Sequence, residues 1–310
     1  MQDAFTGQPT RLRGRTLPGQ PERRAILDDY RRGLAALDRL GAAAAECGVR
    51  AHTDRDLVLA EAEELSLLEA AGGAWAEFGA ALRAWRAVLP LLPLDLFGFP
   101  AGSESPLEDG SPRLVHIGGG VEAWAFAAEP EGSVYKFFRP REGGGIGSTF
   151  AYAAGTETFL RAMAVIGDYR DLLEKLFLIN LLDGMATELV GLTPEGILVA
   201  KQVNGERLPE AADVLPHLPP ALIDIPSRFL RVDRDHPRLA FVGTEPWLIA
   251  DMHDRNLVRA GDGRPRIIDL VAAPMPRDWI ARSAPIRDWL ARVHHDPSAG
   301  LLPAVADDEL

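Results

Sequence analysis

The chain has 310 residues, of which 47% are hydrophobic, and its formal net charge at pH 7 is −12. This apolar content is enough for a sizeable core and excludes a globally disordered chain. The negative charge disfavours nucleic acid as a partner, because a polyanion repels an acidic protein unless its basic residues are strongly clustered. Cys47 is the single cysteine, which excludes an intrachain disulfide, and no apolar window is long enough to span a bilayer. We therefore expect a cytoplasmic protein without nucleic-acid or membrane partners, and leave its oligomeric state open.

The first part of the chain is predicted to be helical after an irregular start. Residues 1–25 contain glycine, proline and arginine without hydrophobic periodicity, which predicts a disordered basic arm. Apolar residues then recur at helical spacing, which predicts an N-terminal helical region at 26–98. Its three helices are expected at about 25–47, 54–71 and 73–89. The third carries a stripe typical of a buried core, formed by Trp75, Phe78, Leu82 and Trp85.

After a linker that ends near residue 112, the pattern changes to short apolar runs broken by glycine-containing turns. These runs predict strands at 114–117, 123–128, 133–138, 188–192 and 196–202. Between the third and fourth strands we predict helical segments from about 156 to 182. Beyond Gly205 we predict a mainly helical half, followed by an acidic tail at 301–310. The fold class expected from this order is α+β.

The strongest chemical signal lies at residues 247–270. Asp251 and Asn256 are five residues apart, and Asp269 follows thirteen residues after Asn256. Between Asn256 and Asp269, two short apolar runs flank a Gly-Asp-Gly turn, which predicts a hairpin with both residues at its open end. Phosphoryl transfer needs oxygen ligands for Mg²⁺ and a nearby carboxylate that orients the nucleophile. This pattern therefore points to that chemistry.

A second signal lies upstream, where three consecutive glycines, Gly118, Gly119 and Gly120, separate two predicted strands. Such a turn lets backbone N–H groups approach phosphates without obstruction by Cβ atoms. The next strand carries Lys136 in its centre. A lysine in an apolar strand needs an anionic partner, because burying an unpaired charge is costly.

These residues resemble the catalytic core of the protein-kinase-like superfamily. The Asp-x-His-x-x-Asn pattern at 251–256 is similar to that of aminoglycoside phosphotransferases and of the putative polyvalent protein kinases of bacterial mobile elements. The resemblance implies a two-lobed fold, with an antiparallel β N-lobe and hinge at 112–205 and a reduced helical C-lobe at 206–300. It implies that Asp251 is the catalytic carboxylate, that Asn256 and Asp269 bind Mg²⁺, and that Lys136 contacts the phosphates of ATP.

The same resemblance suggests further residues. Lys136 should pair with a glutamate of the following helix, for which Glu174 and Glu157 are the candidates. Backbone groups of the hinge at Gln202, Val203 and Asn204 should bind adenine. His253 would support the catalytic loop, and Asp254 would be either a turn carboxylate or a further metal ligand.

The chain also departs from ordinary protein kinases. Ile249 and Ala250 precede Asp251 where those enzymes have His-Arg, and no Ala-Pro-Glu follows Asp269. The usual peptide-binding platform is therefore missing or rebuilt. We expect an ATP- and Mg²⁺-dependent kinase that phosphorylates Ser or Thr of a protein. The alternatives are a small-molecule, antibiotic-like phosphotransferase, a nucleotidyl-transferring enzyme, a catalytically silent kinase-like protein, and a structural protein without a nucleotide site.

Overall fold

The computed structural model describes residues 20–48, 62–103, 105–154, 160–219, 222–225 and 230–296. The described helices are α1 (Gln20–Glu46), α2 (Ala62–Ala71), α3 (Gly73–Val88), α4 (Pro106–Asp109), α5 (Tyr169–Leu181), α6 (Arg277–Arg282) and α7 (Ala284–His295). The described strands are β1 (Val115–Gly119), β2 (Ala123–Ala128), β3 (Ser133–Phe138), β4 (Ser148–Ala154), β5 (Leu160–Ile166), β6 (Thr187–Leu192), β7 (Leu198–Val203), β8 (Glu206–Arg207), β9 (Ile223–Asp224), β10 (Leu230–Val232), β11 (Arg238–Val242), β12 (Glu245–Ala250), β13 (Leu257–Arg259), β14 (Pro265–Ile267) and β15 (Val271–Pro274).

The protein is therefore α+β, and its chain divides into two compact units. Unit 1 contains the described residues up to Gly147, together with Ile166–Phe177 and Ala186–Asn204. Unit 2 contains the remaining described residues. The chain passes from unit 1 to unit 2 after Gly147, after Phe177 and after Asn204, and the last of these positions lies in the segment predicted as the hinge. None of the helices in the described ranges is long and apolar enough to cross a membrane.

The helices of unit 1 differ in two details from the prediction. Helix α1 begins at Gln20, inside the stretch predicted to be irregular, and Pro21 near its start is favoured in a first helical turn. On α3, Phe78, Leu82 and Trp85 are fully buried, but Trp75 is 36% exposed and is not a core residue. The rest of the predicted basic arm, the start of the second predicted helix and the acidic tail lie outside the described residues.

The sheet of unit 1 has five antiparallel strands in the order β1-β2-β3-β7-β6. The predicted bounds of β2 and β3 are confirmed, because apolar runs end at the Gly132 turn, whose φ of 61° suits glycine. One face of the sheet packs against a 3₁₀ turn at Leu94–Phe97 and against Phe99. The ring of Phe137 on β3 lies edge-to-face against Phe97, with 5.3 Å between ring centroids. Since neighbouring side chains alternate, Lys136 belongs to the opposite face.

The fold of unit 2 corrects the prediction of a helical half after Gly205. Described residues between Gly205 and Pro276 form short strands and 3₁₀ turns, and helices occur only at α6 and α7. The predicted helix from about 156 is also wrong, because β5 occupies Leu160–Ile166 and α5 begins only at Tyr169. These strands bury alternate residues in one core, which includes Phe150, Ala162, Leu239, Phe241, Leu248 and Ala250. Burial of every second residue is the pattern of a β-strand, whereas a helix buries residues with a period of 3.6.

Candidate functional site

The candidate catalytic loop lies where two antiparallel strand pairs of unit 2 meet. In the first pair, Ala250 at the end of β12 lies opposite Val271 at the start of β15. In the second pair, β13 and β14 form the predicted hairpin. Asp251 directly follows β12, Asn256 precedes β13, and Asp269 lies between β14 and β15. The backbone therefore places these residues at the adjoining ends of the two pairs.

Asn256 holds this loop together through its side-chain amide. Its Nδ2 donates hydrogen bonds to the backbone oxygen of Asp251 at 2.7 Å and to Asp251 Oδ2 at 3.3 Å. Its backbone oxygen accepts a hydrogen bond from Ile268 N at 2.9 Å, which ties the loop to the residue before Asp269. With the amide nitrogen engaged in this way, the side-chain oxygen of Asn256 accepts no hydrogen bond from the described residues. That oxygen is the atom that could bind a cation.

Asp251 has an unusual backbone and a basic neighbour. Its φ is 69°, in the left-handed region, and its N–H donates to Asp235 O at 2.8 Å. Its Oδ1 lies 3.9 Å from Arg234 Nε. The sequence suggested that no arginine accompanies this aspartate, because none directly precedes it. Arg234 reaches it from the turn before β11, and only the pairing of β11 with β12 brings that turn to Asp251.

His253 and Asp254 have supporting positions in the same loop. His253 Nε2 lies 3.9 Å from Asp251 Oδ1 and 3.4 Å from Asn256 Nδ2. Both carboxylate oxygens of Asp254 accept backbone hydrogen bonds, from Ala211 N at 2.7 Å and from Arg255 N at 2.9 Å. Of the two roles considered for Asp254, the structure favours the turn carboxylate, because these bonds occupy it in fixing the loop.

Asp269 is half-buried, and its Oδ1 accepts a hydrogen bond from Leu270 N at 2.9 Å. Over the described ranges, no three His, Cys, Asp or Glu side chains form a group that could hold a metal ion by themselves. Mg²⁺ in phosphotransfer sites is usually bound by one or two protein oxygens together with substrate phosphates. Asn256 and Asp269 carry side-chain oxygen atoms of the kind that such a site uses.

Lys136 of unit 1 is buried, with 9% of its surface exposed. Its partners across the sheet are Ala125 on β2 and Ala200 on β7. Because it is buried, Lys136 does not extend into bulk solvent on the outer face, an outcome that would have contradicted its predicted role.

The predicted carboxylate partners of Lys136 have different outcomes. Glu157 lies outside the described residues. Glu174 forms an ion pair with Arg170 at 2.9 Å, one turn earlier on α5. Phe177 lies on the same face of α5 as Glu174 and Arg170, and its ring packs on Tyr30 of α1 with 6.4 Å between ring centroids. Glu174 thus lies on the side of α5 that faces α1, and its pairing with Lys136 stays a prediction.

The glycine-rich turn joins β1 to β2 in unit 1. Gly120 N donates to Ala123 O at 3.0 Å, which closes the turn. A Cβ atom on Gly119 would lie 3.2 Å from Ala123 O and from Trp124 Cδ1, whereas a Cβ atom on Gly120 would meet nothing within 4 Å. Gly119 is therefore needed for packing, whereas a side chain at Gly120 would have space and the N–H of Gly120 is used within the turn.

The predicted adenine-binding segment is largely engaged within unit 1. The Gln202 side chain is buried and donates through Nε2 to Thr187 Oγ1 at 2.6 Å. Val203 is buried at the end of β7, and Asn204 N donates to Gly132 O at 2.9 Å. The N–H of Asn204 is therefore used in a turn, and the binding of adenine by backbone groups of this segment stays a prediction.

A scan against protein-family models, and searches of curated proteins and of solved structures, found no match for this chain. Its function must therefore be inferred from the arrangement of its own residues.

Proposed function

We propose that the protein is an ATP- and Mg²⁺-dependent phosphotransferase of the protein-kinase fold, and that its acceptor is a Ser or Thr hydroxyl of a protein. The observation that carries the proposal is that the side-chain nitrogen of Asn256 donates hydrogen bonds to Asp251. These bonds hold both side chains in one loop, and they leave the amide oxygen of Asn256 to face a ligand. A solvated turn aspartate needs no such support from a neighbouring amide.

Each residue of the loop has a role in this proposal. Asn256 and Asp269 would hold Mg²⁺, and the bound ion neutralises charge on the nucleotide phosphates. Asp251 accepts the hydrogen bond of the acceptor hydroxyl and orients its oxygen towards the phosphate. Arg234 lies beside this carboxylate, with 3.9 Å between its Nε and Asp251 Oδ1. In phosphoryl transfer such positioning and charge stabilisation supply most of the rate enhancement.

The order of elements in unit 1 supports the same proposal. A glycine-rich turn joins the first two strands, a lysine lies in the third, and α5 precedes the strands β6 and β7, which complete the sheet beside β3. Kinase-like proteins place a phosphate-binding turn, a phosphate-binding lysine and a helix in this order. Lys136 is accordingly proposed to contact the nucleotide phosphates.

The proposal predicts phosphotransfer that depends on Mg²⁺ and on Asp269. Asp269→Asn should weaken Mg²⁺-dependent ATP binding and abolish transfer, because an amide oxygen is a poorer ligand for Mg²⁺ than a carboxylate. The measurement is ATP affinity with and without Mg²⁺, together with intact-mass analysis after incubation with Mg-ATP and candidate protein acceptors. Asp288→Asn, which alters an exposed carboxylate of α7, is the control and should retain activity.

The possible results separate the alternatives. A phosphate added to a Ser or Thr supports the proposal, whereas an AMP adduct would identify a nucleotidyltransferase. ATP affinity that is the same with and without Mg²⁺, and unchanged in Asp269→Asn, would contradict the assigned metal site.

A further inference from the structure

A buried lysine of α5 is paired with the glycine-rich turn. The side chain of Lys175 has no exposed surface, and its Nζ lies 2.6 Å from Glu122 Oε2. Glu122 follows the glycines at 118–120 and directly precedes β2. A fully desolvated ammonium group is strongly destabilising when it loses a partner carboxylate. The pair therefore fixes the turn to the helix.

The other side of the same turn is held by the residues that follow β3. Arg139 N donates to Glu122 O at 3.1 Å, and Arg139 and Arg141 both donate from their guanidinium groups to Val121 O. The guanidinium of Arg139 also stacks over the ring of Trp124, 5.0 Å from its centroid. The segment 121–122 is therefore restrained on both flanks, although the glycines before it favour many conformations.

The opposite end of β2 carries a second pair of the same kind. Lys201 of β7 is 1% exposed, and its Nζ lies 2.6 Å from Oε2 of Glu131, in the turn between β2 and β3. That turn holds a single glycine, Gly132, and no glycine run. The two pairs share their chemistry and their sheet, and they differ in whether the turn they hold could contact phosphates.

We propose that Glu122 and Lys175 are positioning residues for the nucleotide phosphates, an inference that rests on the proposed function. The pair fixes the conformation of the turn before the nucleotide binds, so that the turn meets the phosphates without first being ordered. Preorganisation raises affinity because the ordering free energy is then spent in folding and not in binding. The effect should be confined to the part of the ligand that the turn contacts.

Lys175→Met tests this inference, because methionine is similar in length and removes the buried charge together with the pair. Mg-ATP affinity should fall by about tenfold, as expected for ordering one or two groups on binding. The affinity for adenosine, which has no phosphates, should not change. Turnover at saturating ATP should also stay the same, so that the loss appears in KM and not in kcat.

Two further variants make the experiment decisive. Glu122→Gln should reproduce the loss of ATP affinity, and in the double variant the two losses should not add, because they remove one interaction. Lys201→Met is the matched control. It should lower the melting temperature as Lys175→Met does, and leave the ratio of ATP to adenosine affinity at the wild-type value.

Three outcomes would overturn the inference. The first is wild-type ATP affinity in Lys175→Met, and the second is an equal loss of ATP and adenosine affinity in Lys175→Met and Lys201→Met, which would show a structural role. The third is a wild-type protein that does not bind ATP, which would overturn the proposed function as well. A wild-type protein that binds ATP and transfers no phosphate would refute only the proposed function, because the affinity ratios would still test the pair.

Discussion

Asp251 adopts a backbone conformation that most side chains avoid. Its φ of 69° belongs to the left-handed region, which glycine, asparagine and aspartate enter more readily than other residues. The hydrogen bonds to Asp235 O and from Asn256 Nδ2 over-determine this conformation. Residues with a strained backbone that their surroundings hold in place concentrate at functional sites, where the strained conformation fixes the orientation of a side chain. Asp251, whose carboxylate is proposed to orient the acceptor, is such a residue.

This conformation determines which variants of Asp251 separate catalysis from folding. Asp251→Asn and Asp251→Gly both tolerate a positive φ, so each should keep the wild-type melting temperature and Mg-ATP affinity. Both should lower turnover by about 10² to 10⁴-fold, the span typical of a positioned acid or base. Asp251→Ala should lose the same activity and also about 1 kcal/mol of stability, because alanine lacks the short polar side chain whose local hydrogen bonds let aspartate and asparagine adopt the left-handed region.

The measurement is turnover, Mg-ATP affinity and melting temperature on all three variants. Turnover that survives in Asp251→Asn while its melting temperature falls would show that Asp251 is a scaffold residue. The catalytic centre proposed here would then be wrong.

Among the elements, the hairpin of β13 and β14 depends on one arginine. Arg266 has a side chain that is 9% exposed, and it forms ion pairs with Asp183 at 2.6 Å and with Asp262 at 2.8 Å. Asp183 follows α5, and Met185 N beside it donates to Ile267 O at 2.8 Å. The hairpin with Asn256 and Asp269 at its open end is thereby anchored to the segment after α5.

The contact between Arg266 and Asp262 should make stability depend on pH. The side-chain hydrogen bond from Arg266 holds the pKa of Asp262 below its usual value. A carboxylate whose pKa is lower in the folded state stabilises the fold above its unfolded pKa, about 3.9, and this contribution disappears as pH falls through the folded pKa. The free energy of unfolding of the wild type should therefore exceed that of Asp262→Asn at pH 7, and the difference should shrink below about pH 4.

Urea denaturation of both proteins between pH 7 and pH 3 measures this difference. Asp288→Asn, which alters an exposed carboxylate of α7, is the control and should show a smaller effect at every pH. A difference between wild type and Asp262→Asn that does not vary with pH would show that the ion pair contributes nothing.

Elements with a strict period and a glycine turn could be predicted from the sequence. The bounds of β2 and β3 and the hairpin around Gly261-Asp262-Gly263 are confirmed for this reason. The strands β4 and β5 were missed, because their many alanines favour a helix when considered locally. The parallel pairing of β5 with β10 supplies the deciding interaction, and it joins residues distant in sequence.

The candidate site shows the same division between local and long-range information. Asp251 and Asn256 belong to one loop, so their spacing was visible in the sequence. Arg234 reaches Asp251 only through strand pairing, and no local pattern indicates it. Lys175 could have been noticed, since Leu172, Leu176 and Ile179 make it the charged member of an apolar helical face.

At the scale of the whole molecule, the N-terminal helices and the first sheet form one unit and share a core. Tyr30 of α1 is fully buried, and its hydroxyl donates to Thr187 O on β6 at 3.1 Å. The ring of Phe99, after α3, packs on Phe126 of β2 with 5.5 Å between centroids. The described residues of the helical region predicted at 26–98 therefore belong to the same unit as the sheet.

This shared core predicts that the helices and the sheet of unit 1 unfold together. Trp85→Ala removes a fully buried ring from α3 and should lower the free energy of unfolding by about 3–5 kcal/mol. Trp75→Ala, on the same helix but 36% exposed in the folded protein, is the control and should have a much smaller effect. Hydrogen exchange should show amides of β3 and β7 losing protection in Trp85→Ala to the same extent as those of α1, because a cooperative unit opens as a whole. Faster exchange confined to α1 and α3, with β3 and β7 as protected as in the wild type, would show that the helices are a separate folding unit attached to the sheet.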